Sequence, residues 1–404
     1  MKYIVILGDG MADYPVEELE GKTPLSAAKK PNMDYIASKG VMGLVKTIPD
    51  GMNPGSDTAN ISVMGYDPEL YYTGRSPLEA VSMGIELAPS DVAYRCNTVT
   101  MTETDIFEDA VMLDHSCDEI PTSESKLIIE EFNEIFKTDT LNIYPGVSYR
   151  HCLVLKDSEG GADTTPPHDI LERGIREHLP KGQNSGLLIS MTKKSWEVLK
   201  NHPANAARKE RGLNKVSALW FWGEGRKPRL SSFYDRFKLS GSVVSAVDLI
   251  KGIGICLGLH SLDVEGATGN IHTNFTGKAN AAIQELLSGK DFVYIHIEAP
   301  DECGHRHEIE NKVKSIELID QKILAPIMKA MAEAGEDYSI LLVPDHATPL
   351  SLRTHTLDPV PFVIYRSNDE QQNSETSYCE EKAKGTGIFI AKGYTMMEKL
   401  IFNS

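Results

Sequence analysis

Near-continuous apolar runs restrict the fold of this 404-residue chain more than any other feature of its sequence. They cover residues 3–7, 292–297 and 340–343, with a fourth candidate at 361–365. A strand that is apolar on both faces is typical of a sheet covered on both sides, as parallel sheets in α/β proteins are. Stretches with helical periodicity separate the runs, and the clearest of them follows Glu310. The pattern therefore predicts a doubly wound α/β sheet.

The middle of the chain has a different character. Between about residues 84 and 236, turn-rich segments, a charged helix candidate at 127–136 and a Gly-Gly pair at 160–161 replace the long apolar runs. A chain of this length has room for two domains. We therefore predict a sheet domain formed by residues 1–83 and 237–404, interrupted by an inserted α+β domain at residues 84–236.

Charge and composition exclude some classes of function. The formal net charge is −17, whereas a sequence-independent nucleic-acid surface needs clustered Lys and Arg. No apolar run is long enough to span a bilayer. The six cysteines are scattered, without a Cys-x-x-Cys pair, which is typical of free thiols in a reducing compartment. We expect a cytoplasmic protein with neither a nucleic-acid nor a membrane partner, and the sequence leaves the oligomeric state open.

Three of the apolar runs are followed by an aspartate, at Asp9, Asp301 and Asp345. Because ligands of open parallel sheets bind beyond the carboxyl ends of the strands, we expect these carboxylates to converge on one edge. One Asp after a strand is usually a turn or helix cap, but three nearby histidines accompany these aspartates, namely His305, His346 and His355. Three carboxylates and three imidazoles suit a pair of borderline cations such as Mn²⁺ or Zn²⁺.

A further motif, at residues 53–60, reads Asn-Pro-Gly-Ser-Asp-Thr-Ala-Asn. Pro54 and Gly55 predict a tight turn, and the following residues can be helical, so Ser56 would stand at a helix N-terminus that favours anions. The ordinary interpretation of a serine there is an N-cap. A nearby base or metal ion would instead make the Ser56 hydroxyl a nucleophile, by lowering its pKa.

These residues lie in a larger set of motifs by which the chain resembles the archaeal type of cofactor-independent phosphoglycerate mutases, in the alkaline phosphatase superfamily. The resemblance runs nearly end to end and rests on segments at 7–13, 55–60, 74–80, 147–151, 222–226, 251–254, 266–270, 299–305 and 344–346. It implies an alkaline-phosphatase-like sheet domain interrupted by an inserted α+β domain.

The resemblance also implies a glycolytic phosphoglycerate mutase that acts on a small phosphorylated carboxylate through a phosphoserine intermediate. Ser56 would be the catalytic nucleophile, and two divalent metal ions would be bound, Mn or Zn with Mg as an alternative. One metal ion would be held by Asp9, Ser56, Asp345 and His346, and the other by Asp301, His305 and His355. The inserted domain would bind the rest of the substrate, with Arg150 and Arg226 as anion-binding forks and with His151 and Asp114, one of them a candidate general base.

One departure from the family pattern keeps other functions open. The family has an arginine-bearing segment after the residue that corresponds to Asp114, whereas this chain continues with the acidic Asp118 and Glu119. A homoserine kinase-like phosphotransferase of the same family, or a phosphomonoesterase, therefore remains an alternative. His296 lies within an apolar run, and we interpret it as a satisfied core histidine rather than a ligand.

Overall fold

The structure is a computed structural model that describes residues 1–373 and 376–402. Its strands, in chain order, are β1 (Lys2–Gly8), β2 (Val41–Val45), β3 (Val92–Met101), β4 (Met112–Asp114), β5 (Leu141–Tyr144), β6 (Arg150–Leu155), β7 (Ala162–Asp163), β8 (Lys181–Gly182), β9 (Ala218–Gly225), β10 (Gly241–Val244), β11 (His260–Leu262), β12 (Phe292–Ile297), β13 (Tyr338–Val343), β14 (Val360–Arg366) and β15 (Phe389–Ile390). Its α-helices are α1 (Pro24–Ala27), α2 (Pro31–Lys39), α3 (Ser56–Val63), α4 (Pro68–Tyr71), α5 (Ser76–Ser82), α6 (Thr122–Phe136), α7 (Ser185–Leu199), α8 (Pro203–Glu210), α9 (Phe233–Phe237), α10 (Asp248–Cys256), α11 (Phe275–Leu287), α12 (Ala299–His305), α13 (Ile309–Ile319), α14 (Ala325–Glu333), α15 (Glu380–Gly385) and α16 (Met396–Phe402).

The chain forms two compact units. The first unit is Met1–Tyr72 together with the chain from Leu230 onward, and the second unit is Thr73–Arg229. Both limits differ by several residues from those expected from the sequence. Helix α5 packs against β3 and β9 and so belongs to the second unit, whereas in α9 the Phe233 ring stacks on Phe292 of the first unit, with 4.4 Å between centroids. That the second unit binds substrate stays a prediction.

The first unit is built on an eight-stranded sheet in the order β11-β10-β12-β1-β13-β14-β2-β15. Strand β1 lies at its centre and pairs in parallel with both β12 and β13. The fourth apolar run forms β14, which pairs antiparallel with β13. A parallel return would need a crossover, usually helical, and the described segment 344–359 between β13 and β14 has no α-helix. The predicted α/β class is confirmed.

Both faces of this sheet are covered. The side chains of Ile4, Val5, Ile6 and Leu7 in β1 are all 0% exposed, as a strand with two buried faces requires. Ile4 and Ile6 pack in one cluster with residues of the flanking helices α11, α13 and α14. Each aliphatic side chain removed from water in this way contributes roughly 1.5–3 kcal/mol. Burial of this kind fixes the ends of β1, β12 and β13 relative to one another.

The second unit is α+β, as predicted. Its antiparallel sheet has the order β4-β3-β6-β5, and β9 pairs with the other side of β3. Successive strand residues point to opposite faces. Tyr94 and Cys96 of β3 pack in a core cluster with residues of α6 and α7, so Arg95 and Asn97 lie on the opposite face.

Two further expectations concern the chain as a whole. In the parts of the chain that the structure describes, no helix combines the length and the apolarity needed to cross a bilayer. The cysteines, all six of which lie in described segments, are free thiols, as expected.

Candidate active site

The three aspartates that follow apolar runs do converge at one edge of the first sheet. Asp9 directly follows β1, Asp345 follows β13, and Asp301 lies in α12, which begins just after β12. All three are buried, with exposed fractions of 2%, 0% and 6%. Burial raises the pKa of Asp9 well above its usual range, and the charges of Asp345 and Asp301 raise it further. Buried carboxylates this close together call for positive charge.

The first group of acceptor atoms comprises Asp9, Asp345 and His346, whose candidate ligand atoms lie within 4.8 Å of one another. Asp345 Oδ1 accepts hydrogen bonds from the backbone N–H groups of Gly10 and His346, at 3.1 and 3.0 Å. Its Oδ2 accepts one from Asn60 Nδ2 at 3.0 Å. Asp9 Oδ1, although buried, has no hydrogen-bond partner among residues 1–373 and 376–402. An orphaned carboxylate oxygen in such a position is a natural metal ligand.

His346 supplies a further acceptor atom because its other nitrogen is bonded to a hydroxyl. Thr348 Oγ1 donates to Asp301 Oδ1 at 2.5 Å, so its oxygen accepts the Nδ1–H of His346 at 3.2 Å. Burial lowers the pKa of His346, which keeps the ring neutral and leaves a lone pair on Nε2. That atom lies 3.6 Å from Asp9 Oδ1 and 3.4 Å from Asp345 Oδ2. Asp9 Oδ1, Asp345 Oδ2 and His346 Nε2 therefore form a set of acceptor atoms that is suited to bind a cation.

The second group comprises Asp301 and His355, whose candidate ligand atoms lie within 4.8 Å of each other and of one on His346, together with the predicted His305. His305 Nδ1 donates to Arg353 O at 3.0 Å and His355 Nδ1 donates to Pro54 O at 3.4 Å, since a carbonyl can only accept. If both rings were neutral, both Nε2 atoms would carry lone pairs facing each other across 2.9 Å. Each also lies near Asp301, at 3.2 and 3.3 Å. Two lone pairs at this distance repel each other. A cation between them, whether a proton or a metal ion, removes the repulsion.

The electrostatics of the second group agree with this reading. The hydrogen bond with Asp301 raises the pKa of His305 to about 9, so positive charge is favoured at this position. Backbone carbonyls that hold the Nδ1–H of a ligating histidine are the usual outer partners of metal sites. Carboxylate oxygens and imidazole nitrogens together suit divalent ions such as Mn²⁺ or Zn²⁺. The two groups therefore suggest divalent metal ions, through the residues predicted from the sequence.

Ser56 lies beside these groups and does not act as an N-cap. Gly55 is the N-cap of α3, without a side-chain capping bond, and Ser56 is the first helical residue. The Ser56 hydroxyl oxygen lies 3.1 Å from His346 Nε2. The predicted helix N-terminus is confirmed, while the ordinary capping interpretation of this serine is not.

Asn60 and Tyr294 support Ser56, and sequence reasoning gave neither a role. Asn60 Nδ2 donates to the backbone oxygen of Ser56 at 2.8 Å and to Asp345 Oδ2 at 3.0 Å. Tyr294 in turn donates to Asn60 Oδ1 at 2.6 Å. Asn60 stands four residues after Ser56, on the same face of α3, and this spacing was an available signal.

His296 is a buried histidine with hydrogen-bond partners, as the sequence suggested, and one of these partners is Asp9 of the site. It is 0% exposed, and burial lowers its pKa to about 3. Its Nε2 lies 3.0 Å from Asp9 Oδ2 and its Nδ1 lies 3.2 Å from Ser245 Oγ. It could be found only from the pairing of β12 with β1, which places Leu7 opposite His296 and so brings this ring beside Asp9.

The substrate residues predicted in the second unit do not form one surface. Arg150 begins β6 and is exposed, with its guanidinium 5.3 Å from the centre of the Tyr149 ring. His151, the next strand residue, points to the opposite face and is 3% exposed. Its Nδ1 accepts from Gly146 N–H at 3.1 Å, and burial lowers its pKa to about 3.

Arg226 and Asp114 are engaged in contacts inside the second unit. Arg226 donates to the backbone oxygens of Ser90 and Ser158, at 2.7 and 2.6 Å. Asp114 accepts from Ser116 N–H at 2.8 Å and from Asp118 N–H at 2.6 Å. Burial opposes the ionisation of Asp114, but these bonds outweigh it and lower its pKa. For all four residues, substrate binding stays a prediction.

Arg150, which the sequence predicted as an anion-binding residue, lies in a group with two arginines that were not predicted, Arg75 and Arg95. We call Arg75, Arg95 and Arg150 the arginine cluster. Glu79 forms ion pairs with Arg95 Nε at 2.9 Å and with Arg75 Nε at 2.7 Å. Burial alone would raise the pKa of Glu79, but the three arginines outweigh it, Arg95 most strongly, and lower it. Burial lowers the pKa of Arg95 to about 10. Three guanidinium groups act on this one carboxylate.

Aromatic rings frame this cluster. Arg95 lies over the Trp222 ring, 4.3 Å from its centre, and β3 pairs the two residues across the sheet. His168 packs edge to face on Trp222 at 5.2 Å and on His115 at 5.9 Å. Trp222 Nε1 donates to Asn97 Oδ1 at 3.0 Å. Arginines held over an aromatic ring and beside histidines are suited to bind an anion.

Comparison with known sequences gives one consistent family. The profile of the family described as 2,3-bisphosphoglycerate-independent phosphoglycerate mutase matches residues 37–205. A protein of Geobacter sulfurreducens, named as a probable enzyme of that description, is 48% identical over 401 residues, 99% of this chain and 100% of its own. The 2,3-bisphosphoglycerate-independent phosphoglycerate mutase of Methanosarcina barkeri is 46% identical over 402 residues, 99% of either chain.

Solved structures agree with the fold over the whole chain. The PH0037 protein from Pyrococcus horikoshii has a TM-score of 0.83 at 28% identity and covers 99% of this chain and 96% of its own. The cofactor-independent phosphoglycerate mutase from Thermoplasma acidophilum has a TM-score of 0.68 at 25% identity, with 100% of both chains covered.

Proposed function

This chain belongs to the family of 2,3-bisphosphoglycerate-independent phosphoglycerate mutases, and from that membership we propose that it interconverts 3-phosphoglycerate and 2-phosphoglycerate in glycolysis. The observation that carries the mechanism is the position of Ser56 Oγ, 3.1 Å from His346 Nε2 and beside two groups of bare acceptor atoms. We propose that the phosphoryl group passes through a phosphoserine at this residue.

The acceptor groups are assigned to two divalent ions. Asp9, Ser56, Asp345 and His346 would hold one ion, and Asp301, His305 and His355 would hold the other. When bound, the ions neutralise charge on the phosphoryl group and stabilise the serine alkoxide. Asn60, which accepts a hydrogen bond from Tyr294, links the backbone oxygen of Ser56 to the Asp345 carboxylate and so fixes their relative position.

The phosphoryl group is transferred in two balanced steps. In the first, Ser56 Oγ forms a bond to the phosphorus of 3-phosphoglycerate while the bond from phosphorus to the 3-oxygen breaks. Ser56 loses its proton and the 3-oxygen gains one, which yields glycerate. In the second, the 2-hydroxyl of glycerate bonds to the phosphorus, the Oγ–phosphorus bond breaks, and Ser56 regains a proton. Glycerate must stay bound while it turns between the two steps.

The arginine cluster of the second unit is suited to hold glycerate by its carboxylate. A guanidinium matches the two oxygens of a carboxylate, and Arg95 and Arg150 belong to a group of three arginines whose charges lower the pKa of Glu79. Such a cluster repels the ammonium group of homoserine. Of the two acidic residues that favoured homoserine, Asp118 is engaged by Asn214, accepting from its N–H and Nδ2 at 2.6 and 2.8 Å. These contacts favour the mutase over the kinase-like alternative.

Turnover of 3-phosphoglycerate by the purified protein with Mn²⁺, without added 2,3-bisphosphoglycerate, tests the proposal. We expect 2-phosphoglycerate as the product, and mass spectrometry of protein trapped with substrate should locate a phosphate on Ser56. In ¹⁸O-labelled water the product should stay unlabelled. Release of labelled inorganic phosphate would instead indicate a phosphomonoesterase. A phosphate on a histidine, or phosphorylation of homoserine without turnover of 3-phosphoglycerate, would contradict the proposal.

A further inference from the structure

The two oxygens of the Asp9 carboxylate have different surroundings. Oδ2 lies 3.0 Å from His296 Nε2. Oδ1 is buried without a hydrogen-bond partner in the described residues and lies 3.6 Å from His346 Nε2. We infer that His296 and Ser245 form a positioning pair, which holds Asp9 Oδ2 by a hydrogen bond and so reserves Oδ1 for a metal ion.

The direction of the hydrogen bonds follows from what each group can donate. A carboxylate that binds a cation is ionised and can only accept. His296 must therefore carry a proton on Nε2 and donate it to Asp9 Oδ2. In the neutral ring, Nδ1 then has a lone pair, so the hydroxyl of Ser245 donates to it across 3.2 Å. The relay runs from the serine through the histidine to the aspartate.

Ser245 is itself fixed, so it can select this tautomer. It directly follows β10 and is 2% exposed. Val247 N–H donates to Ser245 Oγ at 3.0 Å, which occupies one acceptor direction of that oxygen. The backbone oxygen of His296 accepts from the buried Lys278 Nζ at 3.1 Å. These contacts fix the serine hydroxyl and the backbone beside the imidazole. If the proton were on Nδ1 instead, the lone pair of Nε2 would face Asp9 Oδ2.

The pair has a defined role for the site. Without a partner on Oδ2, the Asp9 carboxylate could rotate and offer either oxygen or both to a cation. With Oδ2 held, one oxygen points toward Asp345 and His346. Outer partners that orient a ligand in this way typically contribute 10- to 100-fold to metal affinity. The sequence could not assign this role, because it depends on β12 lying between β1 and β10.

This inference rests on the proposed role of Asp9 as a metal ligand. Mn²⁺ titration of the purified protein can distinguish a failure of the inference from a failure of that proposed role. We expect wild type to bind two ions, and His296→Leu to weaken one of them by about 10- to 100-fold and the other much less. His296→Gln, which keeps a donor toward Asp9, should restore most of the affinity. His260→Leu is the matched control, because that histidine contacts Glu285 at 3.3 Å and no residue of the two acceptor groups.

A double-mutant cycle ties the effect to Asp9. If the pair acts through this carboxylate, His296→Leu should add no further loss of Mn²⁺ affinity in an Asp9→Asn background. Additive losses would overturn the inference and leave the metal sites as proposed. A wild-type protein that binds no Mn²⁺ would overturn both.

Ser245→Ala gives a test that does not depend on a large change of packing. NMR of zinc-loaded protein with ¹⁵N-labelled histidine should show the proton of His296 on Nε2, with the signal assigned by its loss in His296→Gln. In Ser245→Ala this preference should weaken, and one Mn²⁺ affinity should fall several-fold. A His296 proton on Nδ1 in wild type would overturn the inference.

Discussion

The two units gather their polar side chains by different geometry. In the first unit, acidic residues and histidines come together at one edge of the sheet, since β1, β12 and β13 run in the same direction and end there. In the second unit, the arginine cluster forms on one face of an antiparallel sheet, where Arg95 of β3 lies opposite Trp222 of β9. A parallel sheet concentrates chemistry where strands end, whereas an antiparallel sheet presents it along their length.

The clusters of polar side chains in the two units also differ in the charge that they bring together. The first unit brings carboxylate oxygens and imidazole nitrogens close together, as at His305 and His355. The second unit surrounds Glu79 with three guanidinium groups. The first arrangement favours cations, whereas the second favours an anion.

The largest expected effect tests the nucleophile of the first unit. Ser56→Ala should lower kcat on the order of 10⁴-fold or more, the scale of losing a covalent nucleophile. The metal ions should remain largely bound, because the carboxylates and histidines are unchanged. Ser62→Ala in the same helix is the control, since Ser62 Oγ is buried without a hydrogen-bond partner among the described residues. Activity of Ser56→Ala near the wild-type value would exclude a phosphoserine.

The second prediction concerns the acceptor groups. Asp301→Asn should lower kcat/KM by about 10²- to 10³-fold, because charge compensation is then lost in the transition state. The change should also remove one bound metal ion, measured by elemental analysis, with a similar circular dichroism spectrum. Treatment with a chelator should abolish activity in wild type, and Mn²⁺ should restore it. Full activity of a metal-free preparation would contradict the assignment of both groups.

The third prediction compares arginines of the second unit. Arg95→Gln and Arg150→Ala should each raise KM for 3-phosphoglycerate about tenfold, the scale of one charge-assisted contact. Arg226→Ala is the matched comparison, because its guanidinium holds two backbone oxygens. We expect that variant to lose thermal stability more than substrate affinity. Equal increases in KM for all three would show that Arg226 also binds substrate.

The smallest effect concerns the acid stability of the second unit. The pKa of Glu79 is lower in the folded protein than in the unfolded chain. Its contribution to stability is therefore present above the unfolded pKa, about 4.3, and is lost as the pH falls through the folded value. Urea unfolding between pH 6 and pH 3 should show a steeper loss for wild type than for Glu79→Gln, by about 1 kcal/mol. Parallel curves of unfolding free energy against pH would mean that the ion pairs of Glu79 with the arginines do not stabilise the folded protein.

The first site was predictable from the sequence to the extent that strand ends determine it. Asp9, Asp301 and Asp345 each follow an apolar run, so their convergence required only a parallel sheet. His296 could not be assigned, because its contact with Asp9 depends on which strands are neighbours. The α/β class was likewise predictable, whereas the antiparallel direction of β14 depends on the absence of a crossover helix.

The arginine cluster was not predictable in the same way. A single arginine in an antiparallel strand, such as Arg95, has the same local sequence pattern whether it faces solvent or a buried ion pair. That Arg150 and His151 lie on opposite faces of the sheet could have been predicted, since adjacent strand residues point to opposite faces. The limits of the second unit differ by several residues from the prediction, because tertiary packing determines the unit to which α5 and α9 belong. In α9, for example, Phe233 packs on Phe292 of the first unit.

The helix-free segment between β13 and β14 ties the two acceptor groups together. It supplies Asp345 and His346 to the first group and His355 to the second. Fixing this segment at one end restricts its conformational freedom at the other, so an ion bound in the first group reduces the entropy that a second ion must overcome. By thermodynamic linkage the benefit is equal in both directions. The protein should therefore load its two ions with positive cooperativity, and low metal supply should leave a mixture of empty and fully loaded molecules.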